Sequence, residues 1–158
     1  MINSDKIHEK WMKYALAEAI RAYDNDEVPV GAVIIKDKSI IAKGYNQKEL
    51  LKDATAHAEI IAITSASNFL QDWRLNDCVM YVTMEPCAMC TGAIINSRIK
   101  SVYFGVYDEG GGCCGSLYQI CQDPRMNHQT FVRGGILEDE SKSLLQDFFK
   151  IKRKPNLQ

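Results

Sequence analysis

Two short stretches of the chain carry residues able to bind a metal and move a proton. T-A-H-A-E-I occupies residues 55–60 and M-E-P-C-A-M-C residues 84–90. Pro86 ends the segment before it, and Cys90 falls on the first turn of a helix. A spacing of three brings the sulfurs of Cys87 and Cys90 to one side, and a helix N-terminus favours thiolates, the form that binds zinc. A lone C-x-x-C also fits a redox pair or two incidental thiols, but a thioredoxin-type pair has no use for an accompanying histidine. His57 supplies one. A structural zinc site takes four protein ligands, whereas a catalytic site takes three and leaves one position for water. His57, Cys87 and Cys90 make three. The soft Cys₂His set selects zinc, with iron also compatible.

The other cysteines add no ligand. Cys78 opens an apolar strand and reads as a small buried hydrophobe. Cys113 and Cys114 sit side by side in E-G-G-G-C-C-G-S, and adjacent cysteines chelate one ion poorly, so they read as free thiols. Cys121 forms no second C-x-x-C.

Glu59 follows His57 by two, near a helix start, among Ala54, Ala56, Ala58, Ile60 and Ile61. A glutamate on a helix is usually a solvated face residue. Apolar surroundings raise a carboxylate's pKa by desolvation, which suits a proton shuttle. Zinc lowers the pKa of a bound water to about 7, within reach of such a base. Taken in order, His57, Glu59, Pro86, Cys87 and Cys90 reproduce H-x-E…P-C-x-x-C, the known signature of zinc nucleobase deaminases.

Regular elements must position these residues. Residues 6–25 show a helical period, with Met12, Ala15, Leu16, Ala19 and Tyr23 on one face. P-V-G-A-V-I-I-K-D and S-I-I-A-K-G-Y-N read as a hairpin turning near Asp37 and Lys38. H-A-E-I-I-A-I-T-S-A-S-N-F reads as a helix with Thr55 as its cap. D-C-V-M-Y-V-T-M is nearly all apolar, hence a central strand covered on both faces. A-M-C-T-G-A-I-I-N-S-R-I is a short helix, K-S-V-Y-F-G-V a strand, S-L-Y-Q-I-C-Q-D a short helix ended by Pro124, and T-F-V-R-G-G a fifth strand. The segment from Leu137 to Lys154 is a closing helix, acidic at its start and basic at its end, as the helix dipole favours. Strands alternating with helices predict an α/β sandwich with a mixed sheet.

The chain has 158 residues, 46% hydrophobic and 25% charged, with a net charge of −1. That length predicts a single domain spanning 1–158. The charge gives no global pull toward nucleic acid or anionic membrane, so any nucleic-acid contact needs a local patch. The N-terminus mixes charged and apolar residues and does not read as a signal peptide. No run approaches the roughly 18 apolar residues of a membrane span. The expected location is the cytoplasm.

The sequence resembles the bacterial tRNA-specific adenosine deaminases of the cytidine deaminase-like superfamily. The resemblance runs from W-M-K-Y-A-L-A-E-A to L-L-Q-D-F-F-K. It is carried by E-V-P-V-G-A-V-I (27–34), the zinc segment N-D-C-V-M-Y-V-T-M-E-P-C-A-M-C-T-G-A-I-I-N-S-R-I, and G-S-L-Y-Q-I-C-Q-D-P-R-M-N-H (115–128). The M-N-H ending is typical of the tRNA enzymes and not of their base-deaminating relatives. The resemblance implies a three-layer α/β/α sandwich with a mixed five-stranded sheet. It also implies one zinc per chain, a homodimer, and a tRNA anticodon loop as partner. The implied reaction is hydrolytic: water activated by the metal attacks C6 of adenine. Glu59 carries a proton to N1 and then to the leaving amine. Inosine forms at wobble position 34, in bacteria mostly of an arginine tRNA.

By the same resemblance Asn46 holds the target nucleoside and Val30 forms an apolar pocket wall. Asp108 and Asn127 line the anticodon groove, and Phe148 and Phe149 shape the site from the last helix. Each has a plainer reading: Asn46 as a turn cap, Asp108 as a loop residue, Asn127 as a helix end, the phenylalanines as core. His8 reads as exposed on the first helix, and His128 as a structural hydrogen bond or an RNA contact. Lys150, Lys152, Arg153 and Lys154 form a solvated helix end or a phosphate contact. E-G-G-G-C-C-G-S-L departs from the family, whose members usually carry small residues at positions 113 and 114. Two other functions compete: a free nucleobase deaminase acting on guanine or cytosine, and a non-catalytic zinc-stabilised RNA-binding module. An intact Glu59 argues against the second.

Overall fold

A computed structural model describes residues 4–152; Arg153 and Lys154 of the basic tail lie outside them. The elements follow the chain as α1 (Ser4–Asp24), β1 (Gly31–Lys36), β2 (Ser39–Tyr45), α2 (Lys48–Leu51), α3 (Ala58–Leu70), β3 (Val79–Met84), α4 (Ala88–Asn96), β4 (Ser101–Val106), β5 (Phe131–Arg133) and α5 (Glu138–Lys152). The sheet order is β2-β1-β3-β4-β5. β1 is antiparallel to β2 and to β3, while β3–β4 and β4–β5 are parallel. The expected mixed five-stranded sheet is therefore present.

The hairpin between β1 and β2 turns through Asp37 and Lys38, with φ of 49° and 62°. Left-handed backbone at both positions is what a tight I′ turn requires. The strand period of two sends Ala32 and Ile34 to one face of the sheet and Val33 and Ile35 to the other. Ala32, Ile34, Met80, Val82, Val102 and Phe104 pack with Ala58 and Ala62 of α3 and Ile94 and Ile95 of α4. On the opposite face Val33, Ile35 and Tyr81 pack with Met12 and Ala15 of α1. α5 lies on β4 and touches α1. Two helical layers thus enclose the sheet, and β3 at its centre is buried on both faces, as its unbroken apolar run predicts.

Gly44 sets the depth at which α3 meets the sheet. A Cβ there would collide with the Ala58 carbonyl and the Ala62 amide of α3. The helix that carries Glu59 therefore rests directly on β2.

Three sequence expectations are corrected. Thr55 is not the cap of α3: its amide and hydroxyl both donate to Asp53 Oδ1, at 2.8 and 2.7 Å, and His57 occupies the N-cap position. The segment 116–123 forms only a 3₁₀ turn at Ile120–Gln122. His8 is half-buried rather than exposed. Its Nδ1 lies 2.9 Å from the Tyr81 hydroxyl and its ring stacks on Tyr103 at 3.9 Å, fixing α1 to the sheet.

Candidate active site

The ends of four strands meet at one edge of the sheet. β3 and β4 finish there, β2 runs into Asn46, and β1, antiparallel to β3, begins beside them after Val30. Open α/β sheets commonly bind ligands outside the carboxyl ends of their parallel strands. Here α3 and α4 aim their N-termini at the same edge.

His57 and Cys87 are the N-cap residues of α3 and α4, with extended backbone at φ −75°, ψ 154° and φ −74°, ψ 179°. An N-cap side chain normally accepts from the helix's free amides. Neither does so here. Both instead face a common point with Cys90, in the first turn of α4. His57 Nδ1 lies 3.7 Å from Cys87 Sγ and 3.5 Å from Cys90 Sγ, and the three ligand atoms all fall within 4.8 Å of one another. Zinc bonds of about 2.3 Å to sulfur and 2.05 Å to nitrogen at a tetrahedral angle put N and S roughly 3.6 Å apart. The donor set and its spacing fit zinc.

The electrostatics of the trio favour a cation between them. Hydrogen bonding from Cys90, and then from His57, pulls the Cys87 thiol down to about 3, so Cys87 is a thiolate. The same thiolate raises His57, and Cys90 is pushed far up by donating to Cys87 and by burial. Without a cation the cluster tolerates one negative sulfur; a divalent ion compensates two.

Glu59, the second residue of α3, is 4% exposed. Burial raises its pKa above the ordinary carboxylate value, opposed by its own backbone N–H, the Cys90 thiol and His57. It opens onto a cavity of about 210 Å³ whose wall includes Val30, Asn46, His57, Glu59, Cys87 and Asp108. Asn46 is buried and joins two walls: Nδ2 donates to the Val28 carbonyl at 3.2 Å, and Oδ1 accepts from the Lys48 amide at 3.3 Å. It does cap a turn, and it lines the cavity as well. Asp108 is half-buried at the head of the loop after β4, where its Oδ1 accepts from the Gly110 amide at 3.2 Å.

The remaining sites divide. Phe148 is buried edge-on to Tyr23 and to Phe149, itself 41% exposed, and both phenylalanines line an open groove that shares Asn46 and Lys48 with the cavity. Asn127 is exposed in the loop before β5 and is not among the cavity-lining residues. His128 Nε2 lies 2.8 Å from the Ile99 carbonyl, a structural hydrogen bond. Cys78, Cys113, Cys114 and Cys121 are buried free thiols.

Sequence reasoning passed over Lys48, Met84 and Glu85, which also line the cavity. It passed over Glu27 too, whose buried carboxylate accepts from the Glu49 and Leu50 amides at 3.2 and 2.6 Å and holds α2 beside Asn46. The available signal was a glutamate next to apolar strand residues, since such a carboxylate is rarely buried without a task.

Residues 6–153 match the family model of the MafB19-like deaminases. The chain belongs to that family. It is 44% identical over 146 residues to a tRNA-specific adenosine deaminase of Bacillus subtilis, covering 92% of this chain and 91% of the relative. With the enzyme of that name from Aquifex aeolicus the identity is 45% over 142 residues, covering 90% and 93%. A solved tRNA:A34 deaminase, studied for A-to-I editing at the wobble position, superposes with a TM-score of 0.83 at 41% identity, covering 86% of this chain and 99% of its own. A guanine deaminase from Nitrosomonas europaea, 23% identical with a TM-score of 0.73 and coverages of 89% and 83%, shares the fold.

Proposed function

We propose that this protein deaminates adenosine to inosine at wobble position 34 of tRNA, most directly an arginine tRNA. One observation carries the reading: identity of 44–45% over at least 90% of both chains with enzymes named for that reaction. The reaction adds water and releases ammonia. His57, Cys87 and Cys90 would hold zinc, whose Lewis acidity lowers the pKa of water and so provides a nucleophile at neutral pH.

The chain's own residues do the rest. Glu59, desolvated and raised, accepts the proton of the attacking water and delivers it to N1 of the adenine, then takes the proton of the hydroxyl added at C6 and gives it to the leaving amine. Water adds at C6, the C6–N bond breaks, and ammonia departs. Asn46 presents its amide to the nucleoside from a position locked by two backbone partners, which lowers the entropic cost of orienting the base. Val30 packs on the base. Asp108 and Asn127 line the groove for the anticodon loop, whose splayed bases offer faces for stacking, and Phe148 and Phe149 shape the site from α5. Lys150, at the end of α5, would meet a phosphate of the loop, whereas Lys152 is paired with Asp26 Oδ2 at 2.7 Å. The whole chain acts as one deaminase domain, in a homodimer, in the cytoplasm; no helix among the described residues is long and apolar enough to cross a membrane.

The test incubates the zinc-loaded protein with an arginine tRNA transcript and, separately, with free adenosine, guanine and cytosine. Conversion of the tRNA alone is expected. Conversion of a free base without the tRNA would replace this reading with a nucleobase deaminase.

A further inference from the structure

Glu85 follows β3 directly, immediately before Pro86 and Cys87, and it is 3% exposed. Both carboxylate oxygens are saturated by one loop. Oε1 accepts from the Asp108 amide at 3.1 Å and from the Ser116 hydroxyl. Oε2 accepts from the amides of Cys114 at 3.2 Å and Ser116 at 3.0 Å. Among the described residues it has no ion-pair partner. A buried charge without a counter-ion is costly unless hydrogen bonds fill its lone pairs, and charge-assisted bonds are the strong ones.

The loop 108–116 is moulded on that carboxylate. Gly112 backs onto it so closely that a Cβ would overlap the oxygens. The Gly112 amide donates to the Asp108 carbonyl at 2.8 Å, and the Cys113 amide donates to the Pro86 carbonyl at 2.9 Å. One side chain therefore joins the Pro86–Cys87 segment to the loop that carries Asp108, and Glu85 and Asp108 line the same cavity as Glu59.

We propose that Glu85 is a positioning residue for substrate. Through the amides of Asp108, Cys114 and Ser116 it holds the 108–116 loop in the shape that receives the target nucleoside. It takes no part in ligating the metal or in transferring the proton. The inference rests on the deamination reading above and adds to it the residue that builds one wall of the substrate site.

Glu85→Gln tests it. The amide keeps the side chain's size but turns one acceptor into a donor facing two donors. KM for a tRNA anticodon stem-loop should rise about tenfold, the order carried by one hydrogen bond to a charged group, with kcat changed by less than about threefold. Metal content should be unchanged, and hydrogen exchange should accelerate at the amides of 108, 114 and 116. Ser116→Ala keeps the carboxylate and removes one donor; a KM rise of about threefold is expected, and it serves if the Gln variant does not fold. KM within about twofold of wild type, or a fall in kcat at unchanged KM, would overturn the inference while the deamination reading stands. If the wild-type protein itself makes no inosine in the stem-loop, the deamination reading falls, and the inference with it.

Discussion

Glu59→Gln separates proton transfer from metal binding. Gln matches Glu in volume, so the 4% exposed site stays packed. What is lost is the ionisable group. General acid–base catalysis contributes about 10²- to 10⁴-fold, and Glu59 serves both the addition of water and the departure of ammonia, so kcat should fall by at least about 10³-fold. Zinc content by atomic emission should stay at that of the wild type, because Glu59 is not one of the three clustered ligands. The stability change has the opposite sign. Burial raises the folded-state pKa of Glu59 above its unfolded value. Stability from a group shifted in that direction is fully present below the unfolded pKa and is lost as pH rises through the folded pKa. At pH 7, above the unfolded pKa, the raised carboxyl therefore costs stability, and the Gln variant should melt at the same or a higher temperature. By the same shift, the acid limb of the wild-type rate should lie above the ordinary carboxylate value of about 4.3. Loss of zinc in the variant, or a rate within about tenfold of wild type, would refute the role assigned to Glu59.

Three further outcomes follow from the geometry. Cys90→Ser should lose zinc and activity, and its melting temperature should no longer respond to a chelator; at free zinc 100 times the dissociation constant the wild type stands to lose about 2.7 kcal/mol on chelation. Asn46→Ala unties the Val28 and Lys48 backbones, and kcat/KM should fall about 10- to 100-fold with zinc content intact, measured on the anticodon stem-loop. Gly44→Ala drives a methyl into the α3 backbone and should destabilise by about 1–3 kcal/mol or more in urea melts, since overpacking forces the helix off the sheet.

Local signals marked the elements, and a known motif marked the chemistry. The apolar run 77–84 announces a central strand because both of its faces are buried. Asp37 and Lys38 mark the hairpin, although neither is a glycine. His57 and the C-x-x-C pair were legible as one centre from the ligand count and the matched signature; their convergence depends on two helices starting at one sheet edge, which no local pattern encodes. Thr55 misled because the capping rule assumes that the N-cap serves the helix, whereas here that position is His57, which faces Cys87 and Cys90 instead. Glu27 and Glu85 were passed over for a similar reason. Adjacent apolar strand residues were the one sign, and the partners that fix each carboxylate lie more than twenty residues away.

The central claim is deamination at position 34, and reverse transcription reads it directly, because inosine templates C as guanosine does. An arginine tRNA transcript treated with the zinc-loaded protein should yield complementary DNA reporting G in place of A at position 34 and at no other adenosine. Glu59→Gln should leave A. Unchanged A at position 34 with the wild-type protein, or conversion scattered over other adenosines, would contradict the account.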